Sequence, residues 1–552
     1  MKKKSILYAL LMALSFSNMN AQSSIPHLKK TGSSTQLIVN DKPFLMIAGE
    51  VHNSSASTVS YMEPLFPKLK AMHLNSTFVT LAWEQFEPQE GVYDYTLVDA
   101  IIKNAEANDL KVCLLWFASW KNGQSSYAPL WVKKDTKRFF RVQTENGKEV
   151  EVLSPFCEAT KIADAKAFAQ LMKHVKEIDV NQTVILMQPQ NEVGMFQSID
   201  YNKKSLHLYQ QEVPKELMRY LKKNKPRLKK YVRDSWEKQG CKTKGAWEEV
   251  FGETPEAKAF FTTWEYATYI NFVAAAGRKE YDLPMMVNAW IVQKPEDLPG
   301  VYPNGGPVSR VMDIWKAAAP AIDIQSPDIY LSNFKEICAM YHRDDNPLLI
   351  PESKAEVGRA YYAFGQHDAI CFSPFGIEDA ADNFLFKKGY KVLNEIQHLI
   401  TKYQGTGKMT AVLKEGNETS TSLLLGDYKL NIIYENLEEP SFGIIIQTNN
   451  NEFTMVGMNL KISFESTKKE EIGYIGQVWE GGYKNEEWIP TRLMNGDESW
   501  HNEVVRVFGR TFESSVELTK EEKLQGDPDA YSPATKQKIV TPGVYKVITY
   551  KR

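Results

Sequence analysis

Short apolar runs alternate with amphipathic stretches over the first 400 residues of the chain. Helix-period sequence fills the intervals, as at 62–72, 95–108, 159–178 and 380–403. The runs are apolar throughout, which suits parallel strands covered on both faces. Eight repeated strand–helix units predict a (β/α)8 TIM barrel, an α/β fold. The predicted strands are Phe44–Ala48, Thr77–Ala82, Lys111–Trp116, Thr183–Met187, Met285–Asn288, Ile322–Ser326, Leu348–Pro351 and Ala369–Ser373.

Two segments depart from this repeat. Residues 36–47, QLIVNDKPFLMI, predict a hairpin that turns at Asn40-Asp41. The interval between the fourth and fifth strands is unusually long, and residues 203–280 carry helical patterns with many charges. A basic arm for nucleic acid is one interpretation, but interleaved acidic residues favour a solvated helical face. We therefore predict a helical excursion over the active face of the barrel.

The pattern changes beyond Gly405, where short alternating strands separated by Asn, Gly and Asp replace the helix period. The clearest are at 430–434, 443–447, 459–464 and 544–550. This sequence pattern is typical of a β-sandwich. We predict a catalytic barrel at 22–404 and an antiparallel β-sandwich at 405–552. The second domain either binds carbohydrate or packs against the barrel and completes a wall of its cleft.

The N-terminus has the plan of a secretory signal. It begins MKKK, continues with an apolar stretch from Ile6 to Phe16, and reaches the small residue Ala21 just before Gln22. An uncleaved anchor is the alternative, but the apolar run is short for a bilayer. We predict a signal peptide at residues 1–21, no membrane span after its cleavage, and a periplasmic or secreted location.

The composition of the chain limits the kinds of molecule that it can bind. The chain has 552 residues, of which 43% are hydrophobic and 12% aromatic, enough for two or three domains with large cores. The net charge of -2 provides no basic field for nucleic acid or an anionic membrane. Five scattered cysteines show neither a disulfide framework nor zinc-ligand spacing. We expect a neutral substrate, no metal and no cofactor, and the oligomeric state stays open.

Two glutamates follow buried strands, where a carboxylic acid costs desolvation energy that packing does not recover. Glu192 ends the segment MQPQNEVG and Glu352 lies in PLLIPESK. The carboxyl ends of barrel strands carry the chemistry of this fold, and two such acids are the minimum for cleaving a glycosidic bond. We assign Glu192 as general acid/base and Glu352 as nucleophile. A separation of about 5–5.5 Å would mean retention, and about 6.5–9.5 Å inversion.

Other strand ends provide the acids, amides and aromatic rings that a sugar pocket requires. Asn191 is a natural partner for the sugar 2-hydroxyl, and Tyr330 could hold Glu352 in position. Core packing is an equally good interpretation of each aromatic residue taken singly, and a structural role is the usual one for His52. The predicted substrate-binding residues are Glu50, His52, Asn53, Trp83, Glu84, Trp116, Trp120, Asn191, Asn288, Trp290 and Tyr330.

Residues 36–400 resemble glycoside hydrolase family 35, mostly retaining β-galactosidases with a clan A barrel. The resemblance rests on Ala48-Gly49-Glu50-Val51-His52, on LNSTFVTLAWEQFEPQEGVYDY at 74–95, on Asn191-Glu192 and on Glu352. The pattern W-x-x-x-E-P-x-x-G-x-Y-D-Y at 83–95 is its most specific part. The resemblance implies that Glu192 is the acid/base, that Glu352 is the nucleophile, and that Glu50 and Asn191 contact the terminal sugar.

The chain departs from this family at two places that hold the sugar. Many members read Cys-Ala-Glu-Trp after the third strand, where this chain has Phe117-Ala118-Ser119-Trp120, and Thr80 and Glu84 replace the usual pair around strand two. The C-terminal β-domain resembles secreted bacterial enzymes that trim β-galactosyl residues from plant polysaccharides such as xyloglucan. An exo-acting retaining β-galactosidase is the leading hypothesis. The alternatives are a β-glycosidase or endo-glycanase of different sugar specificity, and a non-catalytic glycan-binding barrel.

Overall fold

A computed structural model describes residues 24–435, 439–515 and 536–552. The predicted signal peptide at 1–21 lies outside these described residues. Within them, every helix is too short or too polar to cross a bilayer.

Eight parallel strands close into a barrel, which confirms the predicted fold. The strands are β1 Met46–Ile47, β2 Ser76–Ala82, β3 Lys111–Lys121, β4 Val184–Asn191, β5 Met286–Trp290, β6 Ile324–Ile329, β7 Leu349–Ile350 continued as Glu352–Ser353, and β8 Cys371–Phe372. Parallel ladders join β2 to β3, β3 to β4, β5 to β6, β6 to β7, β7 to β8 and β8 to β1. Single parallel bridges, Met187 to Met285 between β4 and β5 and Glu50 to Phe78 between β1 and β2, complete the circle.

Helices cover the outside of the barrel between successive strands. The longest, Pro255–Glu280, packs against Glu158–Ile178, and Gly277 lets the two approach, since a Cβ there would lie 2.5 Å from the Phe168 ring. The others that follow the strands are Val59–Met62, Leu65–Ala71, Trp83–Phe86, Thr96–Ala107, Leu130–Lys134, Met312–Ala318, Phe334–Tyr341, Val357–His367 and Phe384–Tyr403, with short 3-10 turns at Ser309–Val311 and Ile377–Ala380.

The predicted excursion after β4 is helical. It contains Lys203–Tyr209, Lys215–Asn224, a 3-10 turn at Lys225–Arg227, Lys230–Lys238 and Trp247–Phe251 before the long helix begins. Its apolar side chains, among them Leu217, Leu221 and Trp236, are buried, and its charges face outward. A small ribbon, Arg141–Gln143 with Glu149–Leu153, lies in the connection after β3.

The N-terminal hairpin closes one end of the barrel. Strand Ser34–Val39 pairs with both His27–Thr31 and Lys42–Phe44. The turn falls at Asn40 and Asp41, whose φ values of 50° and 62° suit a type I′ turn. Leu37 and Val39 join the core inside the barrel, where Cys113 and Cys371 are also buried as free thiols.

The C-terminal domain consists of two main antiparallel sheets around a core of their own. Its first sheet packs on helix Val357–His367, where Gly358 and Gly365 allow Phe442, Ala411 and Ile444 to approach. The six-stranded sheet runs Met409–Leu413, Phe442–Asn449, Glu452–Met458, Gly543–Lys551, Gly473–Lys484, Glu487–Leu493. The four-stranded sheet runs Ser420–Leu425, Tyr428–Tyr434, Leu460–Ser466, Val505–Val507, and a separate pair is Arg510–Ser515 with Lys536–Thr541.

Candidate active site

Glu192 is placed by an irregular turn at the end of β4. Gln190 and Glu192 both have positive φ, 69° and 43°, a conformation that costs free energy in residues other than glycine. The amide N–H of Glu192 donates to Oδ1 of Asn288 at 2.9 Å, and Nε2 of Gln190 donates to Oδ2 of Asp164 at 2.6 Å. Side chains of neighbouring elements thus hold the turn in the shape that directs Glu192 into the barrel mouth.

Glu352 is the first residue of β7 after Pro351, and it is held from two sides. The hydroxyl of Tyr330 donates to Oε2 at 2.8 Å, which is the contact expected for Tyr330 from the sequence. Nδ2 of Asn288 lies 3.4 Å from Oε1. Both donors favour the ionised carboxylate.

A third acid, Asp328, lies between the two glutamates. It is the register partner of Glu352 across β6 and β7, and one carboxylate oxygen from each of Glu192, Asp328 and Glu352 lies within 4.8 Å of the others. Oxygens so close would suit either a divalent cation or shared protons. The sequence-based site therefore converges in space, with one acid more than was assigned.

Asn288 connects these groups. Its Nδ2 donates to Oδ1 of Asn191 at 2.9 Å and to Oδ2 of Asp328 at 2.8 Å, besides the longer contact to Glu352. Its Oδ1 accepts from the backbone of Glu192 and from Nε2 of Gln188. One buried amide thereby fixes the relative positions of all three acids.

Burial and mutual repulsion separate the protonation of the three acids. Burial, and then the charge of Glu352, raise the pKa of Glu192 to about 7. Burial and the charges of Glu352 and Glu192 raise the pKa of Asp328 well above its usual range. Burial also raises the pKa of Glu352, but Lys121 and the Tyr330 hydroxyl oppose that increase. Near neutral pH the protons therefore reside on the Glu192–Asp328 side, and Glu352 is the most readily ionised.

The acids face a cavity of about 460 Å³, within the usual range for ligand pockets. Its walls come from the loops after seven of the eight strands, all except β2. The lining residues are Asn53, Lys121, Asn122, Glu192, Trp290, Ile291, Gln293, Asp328, Tyr330, Glu352 and Phe375.

Lys121, like Asp328, lies in the candidate site and was not assigned from the sequence. It ends β3 as the register partner of Asn191, and its ammonium lies 5.1 Å from the centre of the Phe117 ring inside the barrel. Its positive charge lowers the pKa values of Glu50, Glu192 and Glu352. Its position at the end of a predicted strand was the signal available in the sequence.

Of the predicted sugar ligands, Asn53, Trp290 and Tyr330 line the cavity. Asn191 and Asn288 lie in the hydrogen-bond network behind the acids. Glu50 is buried, and its burial, together with the charges of Glu352 and Glu192, raises its pKa well above the usual range. Its Oε1 has no hydrogen-bond partner among the described residues. The sugar contacts proposed for these residues stay predictions.

Three predicted ligands, Trp83, Trp116 and Trp120, lie instead in the hydrophobic core and have no accessible surface. Their indole N–H groups donate to Oε2 of Glu87, Oδ1 of Asp164 and the carbonyl of Leu153 respectively. Rings enclosed in this way have no free face for a sugar. We correct their assignment from sugar platform to core packing.

Glu84 and His52 lie outside the cavity and have protein partners. Glu84 forms a 3.0 Å ion pair with Lys133. Nε2 of His52 lies 2.8 Å from Oδ2 of Asp379, and its ring meets Phe375 edge-on. Neither residue is among those that line the cavity, and the sugar contacts predicted for both stay predictions.

Ser119, where the family 35 resemblance expects a sugar-binding Glu, also faces the core. Its hydroxyl donates to Oδ2 of Asp164 at 2.6 Å. The same carboxylate accepts from Trp116, Gln190 and Tyr269. The C-terminal end of β3 therefore supports the Glu192 turn from behind, and Lys121 with the following Asn122 lines the cavity.

Comparison with known proteins gives two family matches. A family model of glycoside hydrolase family 42, described as β-galactosidase, matches residues 59–341. A second model, described as a domain of unknown function (DUF5597), matches residues 386–506. The comparison with curated proteins finds no match.

Several solved structures are similar at low identity. A β-galactosidase from Bacillus circulans sp. alkalophilus has 14% identity and a TM-score of 0.44, over 64% of this chain and 57% of that one. A β-galactosidase from Rahnella sp. R3 has 14% identity and a TM-score of 0.43, over 68% and 58%. The catalytic domain of a β-amylase from Paenibacillus polymyxa has 10% identity and a TM-score of 0.43, over 64% and 97%. The match thus spans little more than half of either β-galactosidase.

Proposed function

The chain belongs to glycoside hydrolase family 42, the family described as β-galactosidase, and we propose that it is an exo-acting, retaining β-galactosidase. The assignment to family 35 is corrected, because the matching family model is that of family 42. Both assignments place the chain among clan A β-galactosidases. The acid/base role of Glu192 and the nucleophile role of Glu352 are carried into the proposal.

One observation carries the proposal: carboxylate oxygens of Glu192 and Glu352 lie within 4.8 Å of each other at the mouth of the barrel. That gap supports a retaining pair, whose carboxyl groups are usually about 5–5.5 Å apart, over an inverting pair, whose carboxyl groups are usually about 6.5–9.5 Å apart.

The reaction proceeds in two displacements. Glu352 attacks the anomeric carbon, the bond to the leaving oxygen breaks, and Glu192 gives that oxygen its proton. The product of this step is a glycosyl ester on Glu352. Water then gives a proton to Glu192 and attacks the same carbon, which frees the carboxylate of Glu352 and releases the sugar with its original configuration.

The protonation pattern supports these roles. A pKa of about 7 keeps a large fraction of Glu192 protonated at neutral pH, as a general acid requires. Lys121 and the Tyr330 hydroxyl favour the ionised form of Glu352, as a nucleophile requires. Asp328, whose pKa is raised well above its usual range, is a proton-bearing neighbour for Glu192.

Exo action is supported by the shape of the site. Walls from seven of the eight strand ends surround the acids, an arrangement suited to receiving the end of a sugar chain. We propose that the substrates are terminal, non-reducing β-galactosyl residues of oligosaccharides or polysaccharides, plant xyloglucan side chains among them. A periplasmic or secreted location is part of the proposal and is supported by the apolar stretch from Ile6 to Phe16.

A β-glycosidase for another sugar is the second candidate. It is favoured by one observation: two of the positions that depart from the family 35 pattern, Glu84 and Ser119, have protein partners, Lys133 and Asp164. The pocket thus differs from the one that the family 35 pattern gives for galactose. Rates on a panel of nitrophenyl β-glycosides that differ only in the sugar decide between the two candidates.

The proposal is tested by trapping the intermediate. A 2-fluoro-galactosyl fluoride should label wild-type protein once, on the peptide that contains Glu352, and proton NMR should show β-galactose as the first product. Glu352→Ala should abolish nitrophenol release while its thermal melt stays near that of wild type, and Glu90→Ala, an exposed glutamate paired with Arg138, is the matched control. Wild-type protein inert on every aryl glycoside would favour the glycan-binding alternative.

A further inference from the structure

An aromatic ring is exposed beside the acid/base. Phe196 is 44% exposed and follows Glu192 by four residues. Its ring meets that of Trp290 edge-on, with the centroids 5.7 Å apart and the planes at 82°. Because Trp290 lines the catalytic cavity, the two rings form a continuous aromatic edge from the cavity to its rim.

The backbone around Phe196 is fixed on both sides. Met195 and Asn304 exchange two backbone hydrogen bonds of 2.9 Å, and Nδ2 of Asn304 donates to the carbonyl of Ser198 at 2.7 Å. The Phe196 ring lies over Gly123, where a Cβ would come within 3.0 Å of it. A well-anchored loop thus holds the exposed ring of Phe196 beside Trp290, at the rim of the catalytic cavity.

We propose that Phe196 and Trp290 form the binding site for the leaving-group sugar, the unit on the reducing side of the bond that is cleaved. The inference rests on the proposed function, because it takes Glu192 as the acid. The acid protonates the leaving oxygen, so the leaving group must lie on the side of Glu192, where these two rings are. Aromatic faces and edges complement the C–H faces of a pyranose. The substrate class is thus a β-linked oligosaccharide with a sugar in the leaving position.

The test compares a disaccharide with an aryl glycoside of the same donor sugar. The donor is the sugar of the nitrophenyl β-glycoside that wild-type protein cleaves fastest, and the readout is the ratio of kcat/KM for the disaccharide to that for the aryl glycoside. In Phe196→Ala this ratio should fall about ten-fold, the loss of one aromatic contact. Phe196→Trp, which restores an aromatic ring, should recover the ratio.

The matched control is Phe272→Ala, because Phe272 has the same 44% exposure and lies on helix Pro255–Glu280. Its ratio should equal that of wild type, and thermal melts should show that all three variants fold. An unchanged ratio in Phe196→Ala, or an equal fall in Phe272→Ala, overturns the inference. Cleavage of another aryl glycoside but not the galactoside overturns only the galactose assignment. Inertness on all of them overturns both proposals.

Discussion

The hydroxyl of Tyr330 donates a 2.8 Å hydrogen bond to Oε2 of Glu352. Tyr330 follows β6, the strand whose Asp328 is the register partner of Glu352. The contact holds one oxygen of the carboxylate, while Oε1 has only the longer 3.4 Å contact to Asn288. The two oxygens are thereby distinguished, and the one with the weaker partner is the better placed to attack a sugar.

Tyr330→Phe should therefore lower kcat/KM about 10- to 100-fold, the usual loss for one hydrogen bond to a charged catalytic group. The phenol lowers the pKa of Glu352, so its removal raises that pKa. Because the nucleophile must be ionised, the acidic limb of the pH–rate profile should move to higher pH. A profile of kcat/KM from pH 4 to 8 measures this shift, and an unmoved limb would assign Tyr330 to packing alone.

Lys121→Met should move the whole pH–rate profile to higher pH. Lys121 lowers the pKa values of both Glu352 and Glu192. Without it, Glu352 should ionise at a higher pH, and Glu192 should keep its proton to a higher pH. Lys121→Arg keeps the charge and should leave the limbs near their wild-type positions. Lys133→Met is the control, since Lys133 pairs with Glu84 outside the cavity. Equal shifts in the two Met variants would contradict a specific role for Lys121.

The two glutamates proposed as catalytic could be found from the sequence because their signal is local. An apolar run that ends in an acid marks a strand end, and parallel closure brings strand ends to one mouth. The sequence could not show which side of each strand faces the cavity. In β3, Cys113, Leu115 and Phe117 point into the barrel, whereas Leu114 and Trp116 point out to the helices.

This alternation explains why tryptophans were misassigned and a lysine missed. Trp116 belongs to the outward set, and an irregular register between Trp116 and Lys121 obscures the alternation beyond it. The motif that suggested family 35 is structural, because Glu87 accepts from the indole of Trp83 and from the backbone of Gly91. The motif therefore stabilises the turn at the end of β2, and it carries little information about which sugar binds.

Glu192→Ala should slow substrates with poor leaving groups far more than activated aryl glycosides, since a good leaving group needs little protonation. We expect a loss of about 10²- to 10⁴-fold on a disaccharide. Because Glu192 must be protonated and its pKa is raised to about 7, wild-type activity should fall as the pH rises through that value. In the variant this alkaline limb should disappear for the aryl substrate. Equal losses on both substrates would contradict the acid/base role.

Asp164 should make the wild-type fold less stable as the pH rises from about 4 to 6. Burial raises its pKa from 3.8 to about 6 despite donors from Ser119 and Trp116, so the folded state retains a proton that the unfolded chain has lost. The contribution of this group to the free energy of unfolding is therefore fully present below pH 4. About 3 kcal/mol of it is lost as the pH rises through about 6. Asp164→Asn should lack this component, measured by denaturant unfolding at several pH values. The exposed Asp99→Asn should keep it, and parallel curves for wild type and Asp164→Asn would contradict the shift.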